Sequence, residues 1–136
     1  MGNKTSTPNV KQVKVIAVIT GDTITVVDET DKVQPAAYPV KLSRIQAAQI
    51  SSKNINEQTI AHAAQYALGT MVLQQTVMLR YTLRHGLTEA EIITDAGVNV
   101  NDWMLQNRYA YDPSIEDEPE DWIEYHTAKQ PGLYII

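Results

Sequence analysis

Cysteine is missing from this chain, which excludes disulfides and thiolate metal sites. It does not fix the compartment, because cysteine-free proteins occur in all of them. No apolar stretch approaches the roughly 18 residues that would read as a membrane-spanning helix. No charged, apolar and small-residue series opens the chain, so no secretory signal is visible and the expected location is intracellular or inside a viral particle. Basic residues are scarce, with 11 Lys and Arg against 16 Asp and Glu and a net charge of -5. Nonspecific binding to nucleic acid needs a basic face to neutralise phosphates, so this balance weighs against it. Glu116, Asp117, Glu118, Glu120 and Asp121 together account for the whole net charge, which leaves room for a local basic stripe elsewhere. Histidines 62, 85 and 126 are far apart and share no metal-ligand spacing.

What is present reads as one globular domain, with 43% hydrophobic and 20% charged residues in a chain of 136. Residues 1–11 are polar and read as a flexible N-terminal arm, and residues 12–136 as the domain. The arm begins Met1-Gly2-Asn3-Lys4-Thr5-Ser6, which fits the N-myristoylation pattern at Gly2. A single acyl chain there would give only weak membrane anchoring. Val13 to Thr20 and Thr23 to Asp28 read as strands joined by a tight turn at Gly21-Asp22, and Tyr38 to Ile45 as a third. Asn54 with Glu57 marks a helix start, after which Ile60, Ala63, Ala64, Ala67, Leu68 and Met71 share a face. Strands near 75–83 and 89–95 follow, then a helix from Asn99-Val100-Asn101-Asp102 through Arg108. A third helix is expected from Pro119 to Ala128, stopped by Pro131-Gly132 before the apolar Leu133-Tyr134-Ile135-Ile136. This order predicts an α+β fold, a five-stranded OB-like β-barrel with three α-helices.

Three places in the sequence carry a resemblance. Gly21-Asp22-Thr23 lies between the first two strands, with Thr20 before it. Val40-Lys41-Leu42-Ser43-Arg44-Ile45 runs into Gln46-Ala47-Ala48-Gln49. Gly97-Val98-Asn99-Val100-Asn101 precedes Leu105 and Ala110. In this order and spacing the chain resembles the staphylococcal-nuclease-like (thermonuclease) family over about residues 12–134. Its third-strand wording is similar to the degenerate nuclease-like repeats of Tudor-nuclease proteins, which are associated with binding RNA and protein.

The resemblance implies a site at Asp22, Lys41, Gln46, Gln49 and Thr88. In the family a calcium ion and two arginines stabilise the attacked phosphodiester while a glutamate activates water. Here Asp22 matches one calcium ligand and Gln46 stands at another, where an amide supplies no charge for a hard cation. Gln49 stands at the general-base position, and an amide cannot take a proton at useful pH. Lys41 stands for the first arginine without its planar fork, and Thr88 for the second. The expectation is a pseudoenzyme with no bound calcium or other cofactor, serving as a binding or structural module. A protein partner or a larger assembly, such as a virion, is favoured over nucleic acid. Two alternatives stay open: a weak single-strand binder using Lys41, Arg84, Tyr109 and Tyr111, or a nuclease rebuilt around Asp22, Arg84 and His85. Alternation along the third strand places Lys41 and Arg44 on opposite faces. The sequence has seven tyrosines and no phenylalanine, and most of the tyrosines, like Trp103 and Trp122, read as packing residues.

Overall fold

Alternating burial of Val13 and Val15, then Ile24 and Val26, sets one face of the first two strands against a common interior. The computed structural model describes residues 9–29 and 36–128. The elements run β1 (Asn9–Thr20), β2 (Thr23–Val27), β3 (Ala37–Leu42), β4 (Gln46–Ala47), α1 (Ile55–Val72), β5 (Thr76–Arg84), β6 (Leu87–Ile93), α2 (Val100–Gln106), β7 (Ala110–Tyr111) and α3 (Trp122–Thr127). Gly2 and the apolar segment 133–136 lie outside the described residues. No helix among the described residues is long and apolar enough to cross a membrane.

Five strands close a barrel in the order β1-β2-β3-β6-β5. The 12 residues of β1 make closure possible. Asn9 to Lys14 pair with β5, and Lys14 to Thr20 pair with β2. Residues 9–11, assigned from sequence to the arm, are therefore strand. Between β3 and β6 the pairing is parallel, Val40 to Leu42 against Thr88 to Ala90, and every other barrel pairing is antiparallel. This closed barrel with three helices is α+β and consistent with an OB-type architecture.

Leu42, Leu79 and Ile92 fill the interior from the strands, while Leu68 and Val72 of α1 and Met104 of α2 pack onto the same core. Asn54 caps α1 by accepting from the amides of Asn56 and Glu57. Ile60, Ala64, Ala67 and Leu68 are buried as their spacing predicts. Ala61 and Val72 complete the face, whereas Ala63 and Met71 are only half-buried, so the strands meet α1 slightly round from the expected stripe.

Three other boundaries matter for the residues singled out from the sequence. The third strand ends at Leu42, because Arg44 turns into the left-handed region at φ 69°. Arg44 is thus in a turn and not on the strand face opposite Lys41. α2 ends at Gln106, and Arg108 reverses the chain at φ 56°. α3 starts at Trp122 and not near Pro119, because the Asp121 carboxylate accepts from the amides of Ile123 and Glu124.

Candidate functional site

The β1–β2 turn pushes Gly21-Asp22 against the start of β4 and the middle of α1. A Cβ on Gly21 would sit 2.7 Å from the Ala64 Cβ and 3.0 Å from the Ala47 Cβ, so only glycine lets the turn approach this closely. Asp22 is buried to 7% exposure, and its carboxylate is fully engaged. Oδ1 accepts from the hydroxyls of Thr20 at 2.9 Å and Thr23 at 3.0 Å. Oδ2 accepts from the Ala47 amide at 2.8 Å and pairs with Lys41 Nζ at 3.7 Å. The carboxylate therefore ties the hairpin to the chain segment that follows β3.

Lys41 works from the other side of the same junction. Its ammonium donates to the Ile45 carbonyl at 2.6 Å and the Leu42 carbonyl at 3.1 Å. A positive charge thus sits among one carboxylate oxygen and two carbonyl oxygens. Asp22, Lys41, Gln46 and Gln49 line one cavity of about 200 Å³ together with Thr20, Thr23 and Ile50. The segments around the turn and β4 thus bring four of the five sequence-predicted positions together. Thr88 is not among the lining residues. It lies in β6, paired to Val40 and Leu83.

No protein-family model matches the chain, and no curated protein matches it.

The chemistry of the cavity rests on its own residues. Gln49 is exposed, and its backbone N–H donates to Glu57 Oε2 at 2.9 Å. Glu57 was legible only as a helix-start residue, three positions after Asn54. Its contact with Gln49 depends on how the 50–54 loop folds, which no spacing reveals. Tyr111 pairs through its backbone with Gln46 in the small β4–β7 ladder and is 8% exposed. Burial, and then the nearby carboxylates of Glu118, Glu57 and Asp117, raise its pKa above the ordinary tyrosine value. Three carboxylates therefore lie within electrostatic reach of Tyr111. Among the described residues, no group of three or more His, Asp or Glu is arranged to hold a metal ion.

The remaining candidates lie elsewhere or are used in packing. The Tyr109 ring stacks on Trp103 at 5.9 Å and meets His126 at 4.6 Å. Tyr111 packs against Trp122 at 5.9 Å. Arg84 is at the exposed end of β5, 3.9 Å from Glu89, and His85 forms the hairpin turn beyond it. Arg44 joins Glu91 at 3.2 Å and Asp102 at 2.9 Å, contacts that raise its pKa, Asp102 more than Glu91. It braces β6 and α2 and does not face the Asp22 cavity. The second asparagine of the Gly97 to Asn101 motif also has a structural role. Asn101 is fully buried, accepts from the Ile92 amide at 3.1 Å and donates to the carbonyls of Ser43 at 2.9 Å and Ala90 at 3.0 Å.

Proposed function

We propose that this chain is a catalytically inactive nuclease-like barrel acting as a binding or structural module, and that it contacts protein within a larger assembly. The saturation of Asp22 carries this reading. A carboxylate whose oxygens already face two hydroxyls, an amide and an ammonium offers little to a calcium ion unless those contacts break. Gln49 supplies no base, and Lys41 is turned to backbone carbonyls and away from any bidentate grip on phosphate. Loss of one transition-state donor costs about 10² to 10³ in rate. Several such losses in one site leave little hydrolysis. The carboxylates of Glu57, Asp117 and Glu118 beside Tyr111 repel a phosphate backbone, which favours protein over nucleic acid as the partner.

The test is a cleavage assay on plasmid and RNA with calcium, magnesium and manganese, beside Asp22→Ala held at a temperature where circular dichroism shows it folded. The expected result is no cleavage above buffer. Calcium-stimulated cleavage that the variant lacks would overturn the inactive reading. Titration of labelled single-stranded oligonucleotides at low salt tests the partner separately. Saturable binding that weakens with salt and with Lys41→Gln would move the assignment to nucleic acid.

A further inference from the structure

Surface helices normally carry charge on the side that faces water. α1 does not, since Glu57 is the one charged residue among its 18. Ile55, Thr59, His62, Tyr66, Gly69 and Leu73 follow one another at intervals of three or four residues, which lays them in one strip along the helix. All but the half-buried Gly69 are exposed, Tyr66 to 77%. The Thr59 hydroxyl is used within the helix, donating to the Ile55 carbonyl at 2.9 Å. Beside the strip a groove of about 580 Å³ runs between α1 and β1, lined by Ile16 and Val18 on one side and Tyr66 and Leu73 on the other. Gln65 holds the two elements together by donating to the carbonyls of Val18 at 3.2 Å and Ile19 at 3.1 Å. No Asp, Glu, Lys or Arg is among the lining residues.

We infer that this face pairs with the same face of a second copy, the two α1 helices lying antiparallel about a twofold axis. A twofold contact needs a surface that fits itself, a projection and a recess on one patch. Tyr66 is the projection. Gly69, one turn on, is the recess, because an added Cβ there meets nothing within 4 Å. An axis that sets Tyr66 over Gly69 of the second copy also sets His62 opposite Leu73, since the two pairs share one midpoint along the helix. Each tyrosine ring then enters the groove beside the other copy's Gly69. Charge favours this occupant over a strongly acidic or basic partner, which would bury its charges against a strip that has none to pair with them. Each tyrosine buries about 150 to 250 Å², so two of them with the walls that receive them come to roughly 600 to 1,000 Å². That is near the lower limit for a specific interface, so the dimer is weak, with a Kd of about 10 to 100 μM. The face shares no lining residue with the Asp22 cavity, so this inference and the inactive-nuclease reading fail separately.

Sedimentation velocity on the full chain, from about 5 to 500 μM, should show a monomer–dimer equilibrium in that range. Tyr66→Glu should weaken it at least about tenfold by placing a carboxylate in the uncharged groove, with the thermal midpoint of the dilute monomer unchanged. Gly69→Leu fills the recess from open space and should weaken it as much, should the glutamate variant fold poorly. Ile115→Glu, at a position 78% exposed on the loop before α3, should leave association as it is. The parent has no cysteine, so Tyr66→Cys and Gly69→Cys proteins can be mixed and oxidised. Disulfides between unlike chains should form faster than between like chains. A monomer at every concentration would overturn the proposal, as would a dimer indifferent to both α1 variants or lost with Ile115→Glu. Like-chain disulfides forming as fast as unlike ones would overturn the antiparallel pairing.

Discussion

At Asp22 a single side chain joins elements that are distant in sequence, since the Ala47 amide it accepts from lies 25 positions away. Asp22→Ala would leave that amide buried without a partner, because Ala47 is 2% exposed, and would remove the anion beside Lys41. The expected cost is about 2 to 3 kcal/mol, read as a lower urea midpoint with an unchanged slope. A cost under about 0.5 kcal/mol would make Asp22 an ordinary turn residue. Gly21 offers a second test. The described glycines with positive φ are Gly86 and Gly97, so Gly21 is needed for space and not for backbone freedom. Gly21→Ala should cost about 1 to 3 kcal/mol by overpacking against Ala64. Adding Ala64→Gly should recover part of that loss, although glycine in a helix alone costs about 1 kcal/mol. Additive losses in the double variant would show that the two Cβ positions do not compete. Neither residue's role was readable beforehand. The sequence shows a turn, but not which helix and loop the turn meets.

Among the elements, the β5–β6 hairpin shows where local chemistry is informative. Arg84 pairs with Leu87 across His85 at φ 52° and Gly86 at φ 80°, the two left-handed positions of a type I′ turn. Asparagine tolerates the first of these better than histidine does. His85→Asn should therefore stabilise by about 0.5 kcal/mol, raising the thermal midpoint by about 2 °C. An unchanged or lower midpoint would mean that the imidazole makes a contact worth keeping. The connection Arg84-His85-Gly86 was visible from sequence, as were the alternating strands and the Asn54 cap, because each is decided within a few residues. Asp22, Lys41, Gln46 and Gln49 were grouped by the resemblance to a nuclease-like site, and the fold brings them together. The β2–β3 pairing and the Asp22 bond to the Ala47 amide bring them to one cavity. Thr88 does not join them, since its place depends on the register of β6 against β3 and β5, a non-local pairing. Arg44 was misplaced because strand alternation was carried past Leu42, where the chain leaves the sheet.

Across the whole molecule the buried residues divide into the barrel core and a smaller satellite. The satellite joins Trp122, Tyr111, Ala48, Ile60 and Ala61, with Ile50, Ile123 and Tyr125 against it. Sequence showed the barrel by its alternation but not this division, because the cluster around Trp122 draws on α1, β7 and the segment after β4. A six-residue helix held by one small cluster should open well below the global unfolding free energy. The amides of Tyr125 and Ala128 should therefore exchange through local opening, while those of Val15 and Val26 exchange only on global unfolding. Tyr125 provides the chemical handle. Its one hydroxyl proton is shared between the Ala110 carbonyl at 3.1 Å and Glu116 Oε2 at 3.3 Å. Burial, and then the charge of Glu116, push its pKa up to about 12. An unfolded tyrosine titrates near 10, so the folded state holds its proton more tightly. That stabilisation is fully present below about pH 10, falls as pH rises through the folded value, and is lost above about 12. The satellite should loosen in that window, seen as a change in near-UV dichroism from Trp122 before the barrel strands unfold. Tyr125→Phe has no hydroxyl to ionise. Its stability should fall less steeply than the parent's between pH 10 and 12, even though it starts lower for want of the shared hydroxyl hydrogen bond. Parallel pH slopes for the two proteins would place the alkaline transition in other groups.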